Sequence, residues 1–351
     1  MLRLTAEKLQ SFATSLLTAA GIPGEEAEAT AASLVGSNLR GYESHGVMRI
    51  PFYVDMIANG EVQLDAEFEV EKETDTNLVV NANWGLGQSH ARLLADRLIE
   101  KAKTSGIGIG TMYRSGHIGR LGEYCEMAAE QGMVAMVMVN THGAARRVSP
   151  PGGKRPRLGT NPLAIGAPNG DSPLVLDFST SATAEGKVRV KKIAGEQCPE
   201  GWLIDSDGNP TTDPNSIYQE PPGCIVPFGG PQMYKGFGLG IMVDILTGAL
   251  SGGLCSRETP ETQKGNCVFM LVVDPDHFGG RDHFAKEVGD LAQFVRDCPR
   301  TDGCDEILLP GDPERRVMKQ RKAEGLPFDT ENWSKLVQLA ERLNVEVPEL
   351  K

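Results

Sequence analysis

The sequence predicts an α/β protein joined to a helical part built from the two ends of the chain. Three observations carry this. Between residues 65 and 312, short apolar runs bounded by Gly, Asn or Ser alternate with amphipathic stretches. Residues 1–64 read as helices, and so do residues 313–351. The 351 residues are 40% hydrophobic and 23% charged, enough to bury a substantial core.

Thr5 is placed to cap a first helix whose apolar face is Leu9, Phe12, Ala13 and Leu16, with Gly21 closing it. Pro23 opens a second helix carrying Ala27, Ala31, Leu34 and Val35, which stops near Gly41. A short third helix is expected from Pro51 to Gly60. The strand candidates are "LVVNANW", "IGIGTMY", "MVAMVMVN", "PLVLDFS" and "CVFMLVVDP". Helices are expected at "SHARLLADRLIEKAKTSG", "GRLGEYCEMAAEQG" and the Gly-rich "KGFGLGIMVDILTGALSGG". "PERRVMKQRKAEG" and "TENWSKLVQLAERLN" end the chain as helices.

Such alternation ordinarily makes a parallel doubly wound sheet. The dinucleotide fingerprint G-x-G-x-x-G is missing, however. Gly106 and Gly108 are followed by Thr111, and Gly236 and Gly238 by Ile241, where the third Gly should stand. Pattern alone leaves the sheet topology open.

A formal charge of −12 argues against a nucleic-acid or membrane-surface partner. No run approaches the roughly 18 apolar residues of a membrane helix. The amphipathic start, with Glu7 in it, is unlike a signal peptide. Seven scattered cysteines without a C-x-x-C read as reduced thiols of a cytoplasmic protein. No histidine stands in an H-x-x-x-H or H-E-x-x-H pair, so no metal site is expected.

Two histidines sit in Gly-rich junctions. His45 lies in "GYESHGVMRIPFY" at a helix end, and His117 in "RSGHIGRLGEY" between a strand and a helix. The carboxyl end of a strand is where α/β sites open, and imidazole suits proton transfer at neutral pH. A loop histidine making one hydrogen bond is the plainer alternative. Arg49 follows His45 by four residues, so one helical turn would put both on one side. Two cationic groups together make sense around a substrate anion, with Arg49 forking a carboxylate. The other reading pairs Arg49 with Glu43 or Asp55. Residues 140–170 hold Arg146, Arg147, Lys154, Arg155 and Arg157 in a Gly- and Pro-rich loop, suited to phosphates or simply solvated. Lys235, at a helix start among glycines, could meet a pyrophosphate or merely begin a closely packed helix.

Five stretches in order resemble the malate/L-lactate dehydrogenase family of the non-Rossmann type. They are "SNLRGYESHGVMRIPFYV", "RSGHIGRLGEY", "LGTNPLAIGAP" with "LVLDFSTSATAEGKV", "GGPQMYKGFGLGIMVDILTGALSGG" and "ILLPGDPE". "HIGRLG", "GKVRV" and "LIDSDGNPTTDP" look closest to the hydroxycarboxylate dehydrogenase B branch.

The resemblance implies a mixed, largely antiparallel sheet flanked by helices, with a helical substrate and dimer domain from residues 1–64 and 313–351. Residues 65–312 would form the NAD(P)-binding domain of a homodimer. It implies hydride transfer between NAD or NADP and a 2-hydroxy acid/2-oxo acid pair, a small-molecule carboxylate. Reduction of cyclic imines such as piperideine-2-carboxylate on the same scaffold is the alternative. His117 matches the family's proton acceptor, with His45 in reserve, and Ser44, His45, Arg49 and Tyr53 match its substrate pocket. Thr141, Asn161, Asp177, Phe178, Ser179, Lys235, Pro310, Gly311 and Asp312 match its cofactor contacts. Where many members read "SNT", this chain has Val139, Asn140 and Thr141, followed by an unusual His142.

Overall fold

The computed structural model describes residues 2–258 and 263–350. In chain order its strands are β1 (Leu2–Leu4), β2 (Glu69–Glu73), β3 (Asn77–Asn81), β4 (Ile107–Ser115), β5 (Val134–Asn140), β6 (Leu163–Ala167), β7 (Leu174–Phe178), β8 (Leu203–Ile204), β9 (Pro210–Thr211), β10 (Cys224–Ile225), β11 (Asn266–Val273) and β12 (Leu326–Phe328). The α-helices are α1 (Ala6–Ala19), α2 (Gly24–Leu39), α3 (Ile50–Ala58), α4 (Gly87–Ser105), α5 (Gly122–Glu130), α6 (Glu185–Ala194), α7 (Tyr234–Asp244), α8 (Arg281–Arg296), α9 (Asp312–Glu324) and α10 (Thr330–Leu343).

The expected helical part is present. Thr5 caps α1 by accepting from the Lys8 N–H, and Pro23 precedes α2. The ends of the chain are tied by β1 and β12, which pair antiparallel from Leu2 opposite Phe328 to Leu4 opposite Leu326. Asp329 then caps α10. Leu9, Leu16, Leu34, Ile50, Trp333 and Leu336 form one buried cluster, so residues from both termini share a core.

The central sheet runs β2-β3-β4-β11-β5-β6-β7. Among the described residues only β3 and β4 pair in parallel; the other neighbours are antiparallel. The parallel pair is the one joined by a long helix, α4, as a crossover requires. The sheet is therefore mixed and largely antiparallel, not doubly wound. The failed glycine fingerprint has a packing explanation. A Cβ on Gly108 would stand 2.3 Å from the Leu98 carbonyl oxygen, and one on Gly110 2.8 Å from Leu94 and Leu98. These glycines let α4 lie against β4, and they cradle no phosphate.

Several elements lie outside the sequence expectation. The edge strand β2 reads "EVEKE", and its mostly exposed charges hide it. The strand β6 and the helices α6 and α8 were also unanticipated. In α8 frequent charges mask an apolar stripe, and only Ala292 is fully buried.

Candidate functional site

The link from α2 to α3 is two short 3-10 turns, Glu43–His45 and Val47–Arg49, and not the continued helix that the spacing of His45 and Arg49 suggested. Asn38 pins the junction: its Oδ1 accepts the Val47 N–H at 2.8 Å. A Cβ on Gly46 would meet that oxygen at 2.3 Å, so only glycine fits there. Arg49 nevertheless turns back toward its neighbours, donating from Nε to the Ser44 carbonyl at 2.7 Å. Ser44 Oγ lies 2.9 Å from His45 Nδ1.

His117 arrives from the other side, in the loop between β4 and α5. The first residue of α4 supports that loop, for a Cβ on Gly87 would lie 2.3 Å from the Gly116 carbonyl and 2.4 Å from that of His117. The His45 and His117 rings stack with centroids 5.5 Å apart and planes at 28°. Tyr53, on α3, places Oη 2.8 Å from His117 Nδ1, and Gln88 Nε2 donates to that Oη at 2.8 Å. The five predicted substrate-side residues thus come together across the junction of helical part and sheet.

The competing pairings of Arg49 do not form. Glu43 is 2.5 Å from Arg321, and Asp55 is 3.4 Å from Arg342. Among the described residues no carboxylate pairs with Arg49, whose guanidinium stands 5.8 Å over the Phe52 ring. Burial, then the Arg49 and Arg120 cations, push His45 down to about 4. Burial, Arg49 and His45 hold His117 well below the usual imidazole range. Both rings are therefore neutral at pH 7. Burial pushes the Tyr53 hydroxyl up to about 12.

The residues matched to cofactor contacts form a second neighbourhood along β7. Asn161 Nδ2 donates to the Gly240 carbonyl of α7 at 2.9 Å, while its Oδ1 is buried without a hydrogen-bond partner. Phe178 packs edge-on to Phe228 at 5.7 Å, and Ser179 exchanges hydrogen bonds with Ser181. Thr141 Oγ1 accepts the Ala145 N–H at 3.1 Å. Lys235 is exposed at the start of α7. Asp177 accepts the Gly122 N–H at 2.7 Å, and burial raises its carboxyl above the usual range. Asp177 and Gly311 both line a cavity of about 150 Å³. Pro310 reaches β7 through its carbonyl, which accepts the Val175 N–H at 3.2 Å. Asp312 has a different employment: its carboxylate is taken up by Arg296 at 3.0 Å, Arg315 at 2.6 Å and the Leu309 N–H at 2.8 Å. It shapes the loop that presents Gly311.

Two residues of the region escaped sequence reasoning. Gln88 is buried against Tyr53, and nothing in "GQSH" marks it. Arg120 is buried beside Glu126 at 2.6 Å and lies 5.8 Å from the Tyr42 ring. An arginine within "HIGRLG" was its only signal. His142 belongs to the core, edge-on to Trp84 at 5.0 Å and 3.0 Å from Cys267 Sγ. The basic loop folds onto β10, with Val148 bridging Leu158 and Ile225, and Arg155 donates to the Ser206 carbonyl at 2.6 Å.

The family model for malate/L-lactate dehydrogenase matches residues 4–337. The chain belongs to this family. It is thereby an oxidoreductase of hydroxy acids. It is 37% identical to the malate/(S)-sulfolactate dehydrogenase of Methanothermus fervidus, across 98% of this chain and 99% of that one. It is 34% identical to hydroxycarboxylate dehydrogenase B of Escherichia coli K12, across 98% and 95%. The solved structure of delta1-piperideine-2-carboxylate reductase from Pseudomonas syringae pv. tomato superposes with a TM-score of 0.84 at 31% identity, covering 97% of this chain and 100% of that one. Identities this similar single out no branch.

Proposed function

We infer that the protein transfers a hydride between NAD or NADP and C2 of a 2-hydroxy acid/2-oxo acid pair. One observation carries the reading: two neutral, stacked histidines face an arginine whose guanidinium has no carboxylate partner among the described residues. Arg49 would grip the substrate carboxylate through its Nη groups, with the Ser44 carbonyl on Nε fixing the plane of the fork. His117 would exchange a proton with the C2 oxygen through Nε2, because Nδ1 is occupied by Tyr53 and by the Gly119 N–H at 3.3 Å. His45, steadied by Ser44, would orient the same oxygen. A bound carboxylate also offsets the Arg49 charge, so the proton affinity of His117 rises as substrate arrives.

A nicotinamide dinucleotide supplies or accepts the hydride when bound. The residues along β7 and α7 fit such a group. The orphaned Asn161 Oδ1 can accept from an amide or hydroxyl, and Lys235 has no ion pair among the described residues to compete with a phosphate. The resemblance also supports a homodimer with the domain division at residues 64 and 312, which sedimentation velocity and limited proteolysis would test.

The likeness to the piperideine-2-carboxylate reductase favours one second reading, reduction of a cyclic C=N bond by the same groups. A spectrophotometric screen separates the two. It crosses NADH and NADPH with pyruvate, oxaloacetate, phenylpyruvates, diketogulonate and cyclic imines, following loss of the reduced cofactor. Oxo-acid turnover that falls about 10²–10⁴-fold in His117→Gln, with cofactor binding retained, supports the first reading. Turnover confined to imines supports the second, and inactivity across the panel defeats both.

A further inference from the structure

The Gln88 amide, the Tyr53 hydroxyl and the His117 ring form a chain of donors that ends on one nitrogen. Gln88 is buried in the first turn of α4, and its Nε2 donates to Tyr53 Oη at 2.8 Å. Tyr53 Oη lies 2.8 Å from His117 Nδ1. The Gly119 N–H, which can only donate, also points at Nδ1, from 3.3 Å. With Gln88 donating to it, the Tyr53 hydroxyl directs its own proton to Nδ1. Two donors on Nδ1 require a lone pair there, and a neutral imidazole carries a single N–H. That proton is left to Nε2, facing the substrate side.

We propose that Gln88, acting through Tyr53, holds neutral His117 as the Nε2–H tautomer, and that Tyr53 supplies the proton that replaces the one given to substrate. The proposal rests on the reading of His117 as the group that exchanges a proton with the C2 oxygen. In the reductive direction C2 gains a hydride from the reduced nicotinamide, the Nε2–H bond breaks and an O–H bond forms on the product. The Tyr53 O–H bond breaks in turn and an N–H bond forms at Nδ1. The tyrosinate that remains is stabilised by the Gln88 N–H and the nearby Arg49 cation, both of which pull the Tyr53 hydroxyl down against its burial, and solvent reprotonates it. Burial, Arg49 and His45 keep the His117 ring neutral at pH 7, so its tautomer decides what it offers the substrate. Gln88 is a positioning residue in this scheme, and Tyr53 a catalytic one.

The test is long-range ¹H–¹⁵N NMR of histidine-labelled protein at neutral pH, with the His117 signals identified by their loss in His117→Gln. The wild-type ring is expected to show a pyrrole-like Nε2 and a pyridine-like Nδ1. Gln88→Glu reverses the polarity of the chain: its carboxylate accepts the Tyr53 proton, Tyr53 Oη then accepts from Nδ1–H, and the ring shows the opposite pattern. Tyr53→Phe leaves only the weak Gly119 donor, giving mixed tautomers and a reductive kcat lower by about 100-fold, with KM for the oxo acid changed far less. A wild-type ring protonated on Nδ1 overturns the proposal without any variant having to fold. An unshifted ring in Gln88→Glu, with native melting behaviour, overturns the role of Gln88. An undiminished kcat in Tyr53→Phe overturns the relay. The tautomer is read without turnover, so inactivity toward every oxo acid would defeat the functional reading while the NMR pattern stood.

Discussion

Arg49→Met is the perturbation that separates a substrate anchor from a surface arginine. Methionine keeps much of the apolar stem over Phe52 and removes both the fork and the charge. The guanidinium has no carboxylate partner among the described residues, since Glu43 and Asp55 are held by Arg321 and Arg342. Little folded-state stability is therefore lost. A hydrogen bond to a charged group contributes about 1.5–3 kcal/mol, and water would replace part of a two-pronged contact. A net loss of about 3 kcal/mol raises KM for the oxo acid roughly 10²-fold. The charge has a second effect. After burial, Arg49 is the next cause holding down both His45 and His117, so its removal raises both rings. The acid limb of the kcat/KM profile then moves to higher pH. Steady-state oxidation of the reduced cofactor across the histidine range reads both changes, and fluorescence of bound reduced nicotinamide should be unaltered. A KM within threefold of wild type together with an unmoved acid limb would refute the assignment of Arg49.

Other consequences are equally specific. Gly87→Ala drives a Cβ to 2.3 Å from the Gly116 carbonyl, so the His117 loop must shift; thermal melting should show a loss of about 1–3 kcal/mol, and kcat should fall more than KM. The pKa of His45 is depressed to about 4 from an ordinary 6.5, so its neutral form contributes stability above pH 6.5 that is lost as pH falls toward 4. Urea unfolding of His45→Gln should accordingly lose less stability between these limits than wild type, by at most about 1.4 kcal/mol per pH unit and less for a half-buried ring. Lys235→Ala should weaken reduced-cofactor binding about tenfold in a fluorescence titration, with KM for the oxo acid unchanged.

What the sequence revealed was local, and what it concealed was long-range. Helix caps such as Thr5 and Asp329, and the strand end that carries His117, are decided within a few residues. The same holds for the Ser44, His45 and Arg49 cluster, whose order along the chain nearly matches its order in space. The sheet order was illegible because β11, 126 residues beyond β5, inserts between β4 and β5. The glycines of β4 looked like a failed phosphate loop, and only the approach of α4 explains them. The partners of Glu43 and Asp55 lie near the far end of the chain, so spacing left Arg49 undecided. Gln88 passed unnoticed because a polar residue in a first helical turn ordinarily faces water; burial against Tyr53 makes it part of the site.

Hydride transfer at C2 is tested most directly by isotope. Reduction of a 2-oxo acid that the protein turns over is run with reduced nicotinamide dinucleotide deuterated at C4, in each prochiral form separately. One of the two forms should give a 2-hydroxy acid carrying a single deuterium at C2, seen by mass spectrometry and NMR. Product free of deuterium from both forms would contradict the proposed chemistry.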